Sequence, residues 1–222
     1  QNVAIGQGAL DANSSANDNV AVGFQALLSN TTGTLNIGIG SLAGDAITTG
    51  DQNIAIGYRS LSANQTSGNN VAIGVDSQKV STAANNVSVG YNTLLANTSG
   101  TGNNAVGRSA LEQNITGDNN TATGYFALGA NTTAGNNTAV GYASMGANST
   151  GSENTAIGAN ALTTIQTGSN CTAVGRSSLA NATGNNNTAV GASSLINCTN
   201  GVQNTAVGHD CLASSTGADN NT

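Results

Sequence analysis

One phrase of 17 residues repeats thirteen times between Asn2 and Asn220 and accounts for almost the whole chain. It reads N-[TV]-A-[VI]-G-x-x-[AS]-L-x-x-N-[TS]-[TS]-G-x-x, and we number its positions as slots 1 to 17. The copies begin at Asn2, Asn19, Asn36, Asn53, Asn70, Asn86, Asn103, Asn120, Asn137, Asn154, Cys171, Asn187 and Asn204. Eleven have 17 residues, and those that begin at Asn70 and Cys171 have 16. A fixed period of this length predicts a solenoid, in which each copy is one coil that buries its apolar side against its neighbours.

The residues within each copy indicate β-structure. Slots 2 to 4, such as Val-Ala-Ile, alternate β-branched residues with a small one and predict a short strand. Slots 7 to 9 are predicted to form a second short strand, and Asn-Thr-Thr-Gly at slots 12 to 15 forms the return turn. Helix is disfavoured because glycine and β-branched residues recur in every copy. The predicted fold is therefore an all-β parallel β-solenoid, a β-roll of about thirteen coils in a single array over residues 2–220.

Four slots are predicted to determine the coil. Val or Ile at slot 4 and Leu at slot 9 are expected to form interior ladders, and Asn at slot 1 an amide ladder. Slot 5 is always glycine, which indicates a positive φ or the close approach of another backbone. These structural glycines are Gly6, Gly23, Gly40, Gly57, Gly74, Gly90, Gly107, Gly124, Gly141, Gly158, Gly175, Gly191 and Gly208.

Slots 3 and 8 carry mostly Ala, Ser or Gly. Since a strand alternates faces, slot 3 is expected to point away from slot 4, where a smooth outer surface would let a second chain approach, as in a trimer. The alternative, that tight turns merely exclude bulky residues, remains open.

Composition limits the partners. Ten acids against four bases leave a net charge of −6, which provides no electrostatic footprint for nucleic acid or for an anionic membrane. The charges avoid slots 2, 3, 4, 5, 8 and 9, so these slots are expected to face the interior or another chain. No apolar run approaches the ~20 residues that span a bilayer, and we expect no membrane insertion within this array.

Other sequence features suggest neither catalysis nor cross-linking. The single His209 has no nucleophile or metal-ligand spacing around it, so we expect no enzyme activity, no metal and no cofactor. Cys171, Cys198 and Cys211 occupy different slots and are expected to be buried or half-buried free thiols. The chain starts and stops within a repeat, which suggests a window of a longer fibrous chain.

The stretches NVAIGQGAL, NVAVGFQAL, NTAVGYASM and NTAVGRSSL resemble repeats in the heads of trimeric autotransporter adhesins and in phage tail fibres. The resemblance covers Asn2 to Asn220. It implies a left-handed parallel β-roll, often trimeric or filamentous, on a fibrous protein at a cell or virion surface. The 17-residue coil is longer than is usual in those adhesin heads.

The triplet N-x-[ST] occurs at fifteen positions and predicts N-glycosylation. Nine of them share the return turn: Asn13, Asn30, Asn64, Asn97, Asn114, Asn131 and Asn148 at slot 12, with Asn181 and Asn197 at slot 11. The other six are Asn86, Asn119, Asn136, Asn170, Asn186 and Asn220. Glycans on the nine would form a column along one edge of the rod. The alternative is that Asn-Thr-Thr-Gly is simply favourable turn chemistry.

Slot 6 is a candidate ligand-contact face, because it accepts charges and is therefore expected to be exposed. It carries Phe24, Tyr58, Tyr91, Arg108, Tyr125, Tyr142 and Arg176. Such a row can stack on sugar rings or bind a host-surface receptor. The favoured alternative is that the rings shield the coil below.

The sequence thus predicts a non-enzymatic extracellular fibre protein: a surface filament, an adhesin head or a tail-fibre shaft, with itself as partner in a homotrimer or end-to-end filament. Carbohydrate binding and ice binding are alternatives. For ice binding, threonine fills slot 2 in the last six copies, although T-A-V stands where T-x-T is expected.

Overall fold

The computed structural model describes every residue from Gln1 to Thr222 as a stack of coils with one three-residue strand in each. Each strand occupies slots 2 to 4, as predicted. The strands are β1 (Val3–Ile5), β2 (Val20–Val22), β3 (Ile37–Ile39), β4 (Ile54–Ile56), β5 (Val71–Ile73), β6 (Val87–Val89), β7 (Asn104–Val106), β8 (Thr121–Thr123), β9 (Thr138–Val140), β10 (Thr155–Ile157), β11 (Thr172–Val174), β12 (Thr188–Val190) and β13 (Thr205–Val207). The chain contains no helix.

All thirteen strands form one parallel sheet in chain order, from β1 to β13. Equal slots pair across neighbouring coils, as Thr155 does with Thr172 and Ala156 with Ala173. The register is kept where a copy has only 16 residues, since Val71 pairs with Val87. Parallel strands about 4.8 Å apart make a rod about 60 Å long. The predicted parallel β-solenoid with a period of about 17 residues is confirmed.

Turns, rather than strands, carry most of the hydrogen bonding between coils. Of 139 backbone hydrogen bonds, 24 lie within the strands and 115 lie elsewhere. In the turns the Leu10 N–H donates to the Ala26 carbonyl at 3.0 Å, and the Thr31 N–H to the Thr48 carbonyl at 2.9 Å. The polar backbone of the irregular segments is therefore satisfied by the next coil.

The predicted second strand at slots 7 to 9 is wrong. Slots 7 and 9 are left-handed in every coil, as at Gln25 (φ 55°) and Leu27 (φ 50°), so the segment turns twice and cannot extend. A left-handed conformation costs an ordinary residue roughly 1–2 kcal/mol. Burial of a leucine side chain contributes about 1.5–3 kcal/mol and offsets that cost at slot 9.

The interior contains slots 3, 8 and 9, and this corrects the predicted orientation of the strand. Ala21, Ala26 and Leu27, which represent these slots, are fully buried, whereas the slot-4 residue Ile39 is exposed. The Leu ladder at slot 9 is confirmed. The predicted Val/Ile ladder at slot 4 faces outward, and the small residues at slots 3 and 8 form no outer surface.

The narrow coil explains this inversion. Gly38 stands at slot 3, and a Cβ atom there would lie 2.8 Å from Cγ of Leu27 and 3.0 Å from the carbonyl oxygen of Ala43. One row of leucines therefore fills the interior, and only small side chains fit opposite it. The β-branched residues of slots 2 and 4 face outward, where cross-strand pairs favour them.

The glycine at slot 5 meets both requirements that the sequence indicated. Gly141 has φ 133°, and a Cβ atom there would lie 2.6 Å from the carbonyl oxygen of Gly158 in the next coil. The other slot-5 glycines share this conformation, with φ between 125° and 141°. The backbones of neighbouring coils thus approach too closely here for any side chain.

Replacing Gly141 with alanine should therefore cost more than about 3 kcal/mol of unfolding free energy, because backbone strain and a clash with Gly158 add together. Gly217→Ala is the matched control. Gly217 also has a positive φ (81°) but no heavy atom within 4 Å of its added Cβ, so about 1–2 kcal/mol is expected. Urea unfolding measures both. Equal losses would contradict the close-approach argument.

Candidate functional site

The molecule offers surfaces rather than a cleft. The structure contains no pocket, and no group of three or more His, Cys, Asp or Glu side chains is placed to hold a metal ion. No helix is present that is long and apolar enough to cross a membrane. His209 Nδ1 lies 2.9 Å from Asp210 Oδ2 in an exposed pair at the surface. Candidate functional residues are therefore sought along the outer slots.

The slot-6 column is exposed, as predicted. It contains Phe24, Tyr58, Tyr91, Arg108, Tyr125, Tyr142 and Arg176. The rings of Tyr125 and Tyr142 stack with centroids 5.5 Å apart and planes 12° apart. The Arg108 guanidinium carbon lies 5.6 Å from the centroid of Tyr91 and 5.7 Å from that of Tyr125. Four successive coils are thus joined by one stack of rings and a guanidinium group.

This stacking limits what the column can bind. Sugar rings bind to a free aromatic face, but Tyr125 has one face against Tyr142 and the other beside Arg108. Arg59 likewise lies over the Tyr58 ring at 4.6 Å. The geometry favours the interpretation that the column stabilises and shields the coils.

The slot-12 asparagines lie inside the coil, which the sequence analysis did not predict. Asn30, Asn64, Asn97, Asn114, Asn131 and Asn148 are all fully buried. The Asn114 Nδ2 donates to Asn97 Oδ1 at 3.0 Å and to the Gly117 carbonyl at 3.0 Å. The Asn131 Nδ2 donates to Asn114 Oδ1 at 2.8 Å. The recurring Asn of the return turn is therefore a second interior amide ladder.

This burial corrects the predicted glycan column at slot 12. A glycan on Nδ2 of those six asparagines would replace buried hydrogen bonds and displace the neighbouring coil, so it is incompatible with this packing. Asn13 is half-buried, and Asn181 and Asn197 are exposed. The Asn181 Nδ2 donates to Asn197 Oδ1 at 3.0 Å. Glycosylation at these three remains a prediction.

The expected amide ladder at slot 1 is present and also holds the backbone. Asn103 Oδ1 accepts a hydrogen bond from the Asn120 backbone N–H at 3.0 Å, and Asn120 Oδ1 accepts one from the Asn137 N–H at 3.0 Å. The Asn120 Nδ2 also donates to the Ala134 carbonyl at 2.9 Å. The Asn120 side chain therefore satisfies both the N–H before the next strand and a carbonyl of the return turn.

Cys171 interrupts the slot-1 ladder. Its backbone N–H still donates to Asn154 Oδ1 at 2.9 Å, and its Sγ lies 3.2 Å from the Gly184 carbonyl oxygen. A thiol supplies no amide oxygen for the next slot-1 residue, Asn187. Cys171 and Cys198 are buried and Cys211 is half-buried, all as free thiols, which confirms the expected placement. Burial raises the pKa of the Cys171 and Cys198 thiols above the ordinary value.

Slots 2 and 4 form the longest outer surface, which we call the outer strip. It runs along the outer face of the sheet from β1 to β13 and contains no charged residue. Its exposed large apolar members are Val3, Ile5, Ile39, Val87, Val106, Ile157, Val190 and Val207. The sequence shows that slots 2 and 4 carry no charge. The structure shows that the reason is not burial in the interior, because these slots face outward.

No protein-family model, curated protein or solved structure matches this chain. The fold and its surfaces define the class of the protein as a parallel β-solenoid with one short strand per coil. The similarity to adhesin-head and tail-fibre repeats remains an expectation from the sequence.

Repair of the slot-1 ladder should stabilise the protein. We expect Cys171→Asn to raise the unfolding free energy by about 1 kcal/mol, because the new amide can receive the Asn187 N–H and donate to the Gly184 carbonyl. Asn120→Ala is the opposite variant. It leaves the Asn137 N–H without a partner, while the Ala134 carbonyl keeps the hydrogen bond from Asn131 Nδ2, so it should cost about 1–3 kcal/mol. Denaturant unfolding measures both changes. A less stable Cys171→Asn variant would contradict the proposed role of the amide.

Proposed function

We propose that the chain is a non-enzymatic structural or adhesive fibre protein that works outside the cell or virion body, as a surface filament, an adhesin head or a tail-fibre shaft. One observation carries the proposal: the charge-free outer strip, which follows the rod from end to end and is β-branched at every position of slots 2 and 4 except Asn104. The resemblance of the repeats to fibrous surface proteins agrees with it.

The outer strip is large enough for an interface. Three strand residues are about 10 Å long, and thirteen coils extend about 60 Å, so the strip covers about 600 Å² per chain. Its slot-4 side is apolar in every coil except at Thr123, and contiguous apolar patches larger than a few hundred Å² mark interaction sites. Two facing strips would bury about 1,200 Å², which is the lower limit for specific and stable interfaces.

The partner that we propose is the same chain. A rod with a repeat of about 4.8 Å is matched along its whole length only by a surface of the same period. Each copy carries a net charge of −6, so copies repel one another unless their contact surface is uncharged. The outer strip is such a surface, and it would lie inside a homotrimer or a laterally joined filament.

Charges placed on the outer strip should abolish association. Ile39→Lys combined with Ile157→Lys puts two cations on exposed strip residues, and a buried unpaired charge is costly. We expect this double variant to be a monomer of about 21.6 kDa, whereas the unmodified chain sediments at a multiple of that mass. Analytical ultracentrifugation measures the mass, and a threefold value identifies the trimer.

The matched control is Thr66→Lys with Thr133→Lys. Both threonines are exposed at slot 14 on another side of the coil, so the same charge is added away from the strip and association should persist. Circular dichroism confirms that all variants are folded. A chain that stays monomeric without any substitution, or a strip variant that still associates, would refute self-association through this surface.

A second candidate function, ice binding, has one observation in its favour. Thr121, Thr138, Thr155, Thr172, Thr188 and Thr205 pair in register as a continuous row on the outer strip. Because slot 3 faces inward, each threonine stands beside the outward residue of slot 4, so T-A-V presents a regular row of hydroxyl and methyl groups. Thermal hysteresis that falls when Thr155 and Thr172 are changed to valine would support this function. A purified chain without thermal hysteresis would exclude it.

A further inference from the structure

Slot 17 carries a second column of acceptor triplets, on the outside of the coil. Its asparagines are each followed by one residue and then threonine: Asn119, Asn136, Asn170, Asn186 and Asn220. All five are exposed. In the first of them the chain reads Asn119-Asn120-Thr121, so the triplet joins an exposed asparagine, a buried slot-1 ladder residue and the threonine of the outer strip.

The five side chains differ from the buried slot-12 asparagines in how their hydrogen bonds are made. Only the backbone of the slot-17 residue bonds to the neighbouring coil, as when the Asn136 N–H donates to the Asp118 carbonyl at 3.0 Å. At slot 12, by contrast, Nδ2 is the donor, as in Asn114. A substituent on Nδ2 at slot 17 therefore leaves the ladders intact.

The backbone conformation offers a competing explanation for asparagine at this slot. Asn136 and Asn170 have φ 60° and 59°, in the left-handed region that asparagine tolerates better than most residues. The chain contains its own controls, however. Asn69 and Asn85 occupy the same slot with φ 62°, but valine follows two residues later in each case, so neither begins an acceptor triplet.

We propose that the chain carries N-linked glycans in a column at slot 17, on Asn119, Asn136, Asn170, Asn186 and Asn220, and none on the buried asparagines of slot 12. The donor is a lipid-linked oligosaccharide pyrophosphate. Asn Nδ2 forms a bond to the anomeric carbon of the sugar, the bond from that carbon to the pyrophosphate oxygen breaks, and the lipid pyrophosphate leaves with its electron pair. One Nδ2 proton passes to a base of the transferase.

The distance between slot-17 asparagines on neighbouring coils predicts how fully each of them is glycosylated. Asn119 and Asn136 lie on neighbouring coils, and so do Asn170 and Asn186, at a spacing of about 4.8 Å. A glycan on one member crowds the other, so one member of each pair should be modified more fully than its neighbour. The inference rests on the proposed extracellular function, because the donor and its transferase serve proteins that leave the cytoplasm.

The first test is glycopeptide mapping of the protein from its native source, with enzymatic release of glycans in heavy-oxygen water to mark each occupied site. We expect marks in both slot-17 pairs, and none at Asn69 or Asn85 or on the buried residues such as Asn114. Unmodified asparagines throughout both pairs would overturn the proposal, and so would a glycan on Asn97, Asn114 or Asn131.

Two substitutions test whether the acceptor triplet, rather than the backbone conformation alone, determines glycosylation at slot 17. Thr138→Val removes the triplet at Asn136 and introduces the residue that earlier coils have at slot 2, whereas Val71→Thr creates a triplet at Asn69. When the chain is secreted from cells that possess an oligosaccharyltransferase, the first variant should lose the glycan on Asn136 and the second should gain one on Asn69. A Val71→Thr chain that is folded and secreted but has no glycan on Asn69 would overturn the proposal that an exposed slot-17 asparagine in an acceptor triplet is glycosylated.

Antibody labelling of intact native cells or particles distinguishes this inference from the proposed function. A surface-exposed fibre whose slot-17 asparagines are unmodified would refute the glycan column alone. A chain confined to the cell interior would refute both.

Discussion

The in-register hydrogen bonding of each coil to the next is the constraint on which the rest of the structure depends. Most of the 115 backbone hydrogen bonds that lie outside the strands join neighbouring coils, so the turns are stacked in register as the sheet is. A side chain therefore lies between residues of the same slot in the coils above and below. Only residues that pack well against identical residues can recur at a slot. Asparagine does so through amide hydrogen bonds at slots 1 and 12, leucine by filling the interior at slot 9, and glycine by having no side chain at slot 5.

The period made most of this fold predictable from the sequence, because it defined the coil, the slot-2 to slot-4 strand, the leucine ladder and the slot-5 glycines. The orientation of the strand was not predictable, since an alternating pattern such as Val20-Ala21-Val22 fits either face. The coil is narrow enough that the alanine, not the valines, points inward. The second strand was predicted wrongly because leucine usually avoids the left-handed backbone conformation. At slot 9, burial of the side chain in the coil outweighs that preference. The burial of the slot-12 asparagines was not predictable, because asparagine in a turn is usually exposed.

A single polar interruption shows how independent the coils are. Gln78 replaces leucine at slot 9, and the apolar interior divides there into one cluster from Leu10 to Ala72 and another from Leu94 to Ala206. The Gln78 Nε2 donates to the Val71 carbonyl at 2.9 Å and to Ser88 Oγ at 2.9 Å. Because each coil contacts only its neighbours, a local hydrogen-bonded exchange of this kind leaves the stack and its register unchanged. The replacement of leucine by Gln78 is thus an interior substitution and not a change of the surface.

The ladders constrain only the inner slots, so the outer slots can vary. Slot 2 belongs both to the outer strip and to the acceptor triplet that begins at slot 17. Valine or isoleucine there makes the outer strip more apolar, as in the first six coils from Val3 to Val87. Threonine makes it more polar and, where slot 17 is asparagine, also completes an acceptor triplet. Asn69 and Asn136 illustrate the two cases, since they share a slot and a conformation and differ in the residue two positions later. The acceptor asparagine lies two residues before slot 2 and outside the outer strip, which runs along the whole rod. The residue at slot 2 therefore alters the polarity of the outer strip and the acceptor triplets beside it, while the coil and its register stay the same throughout.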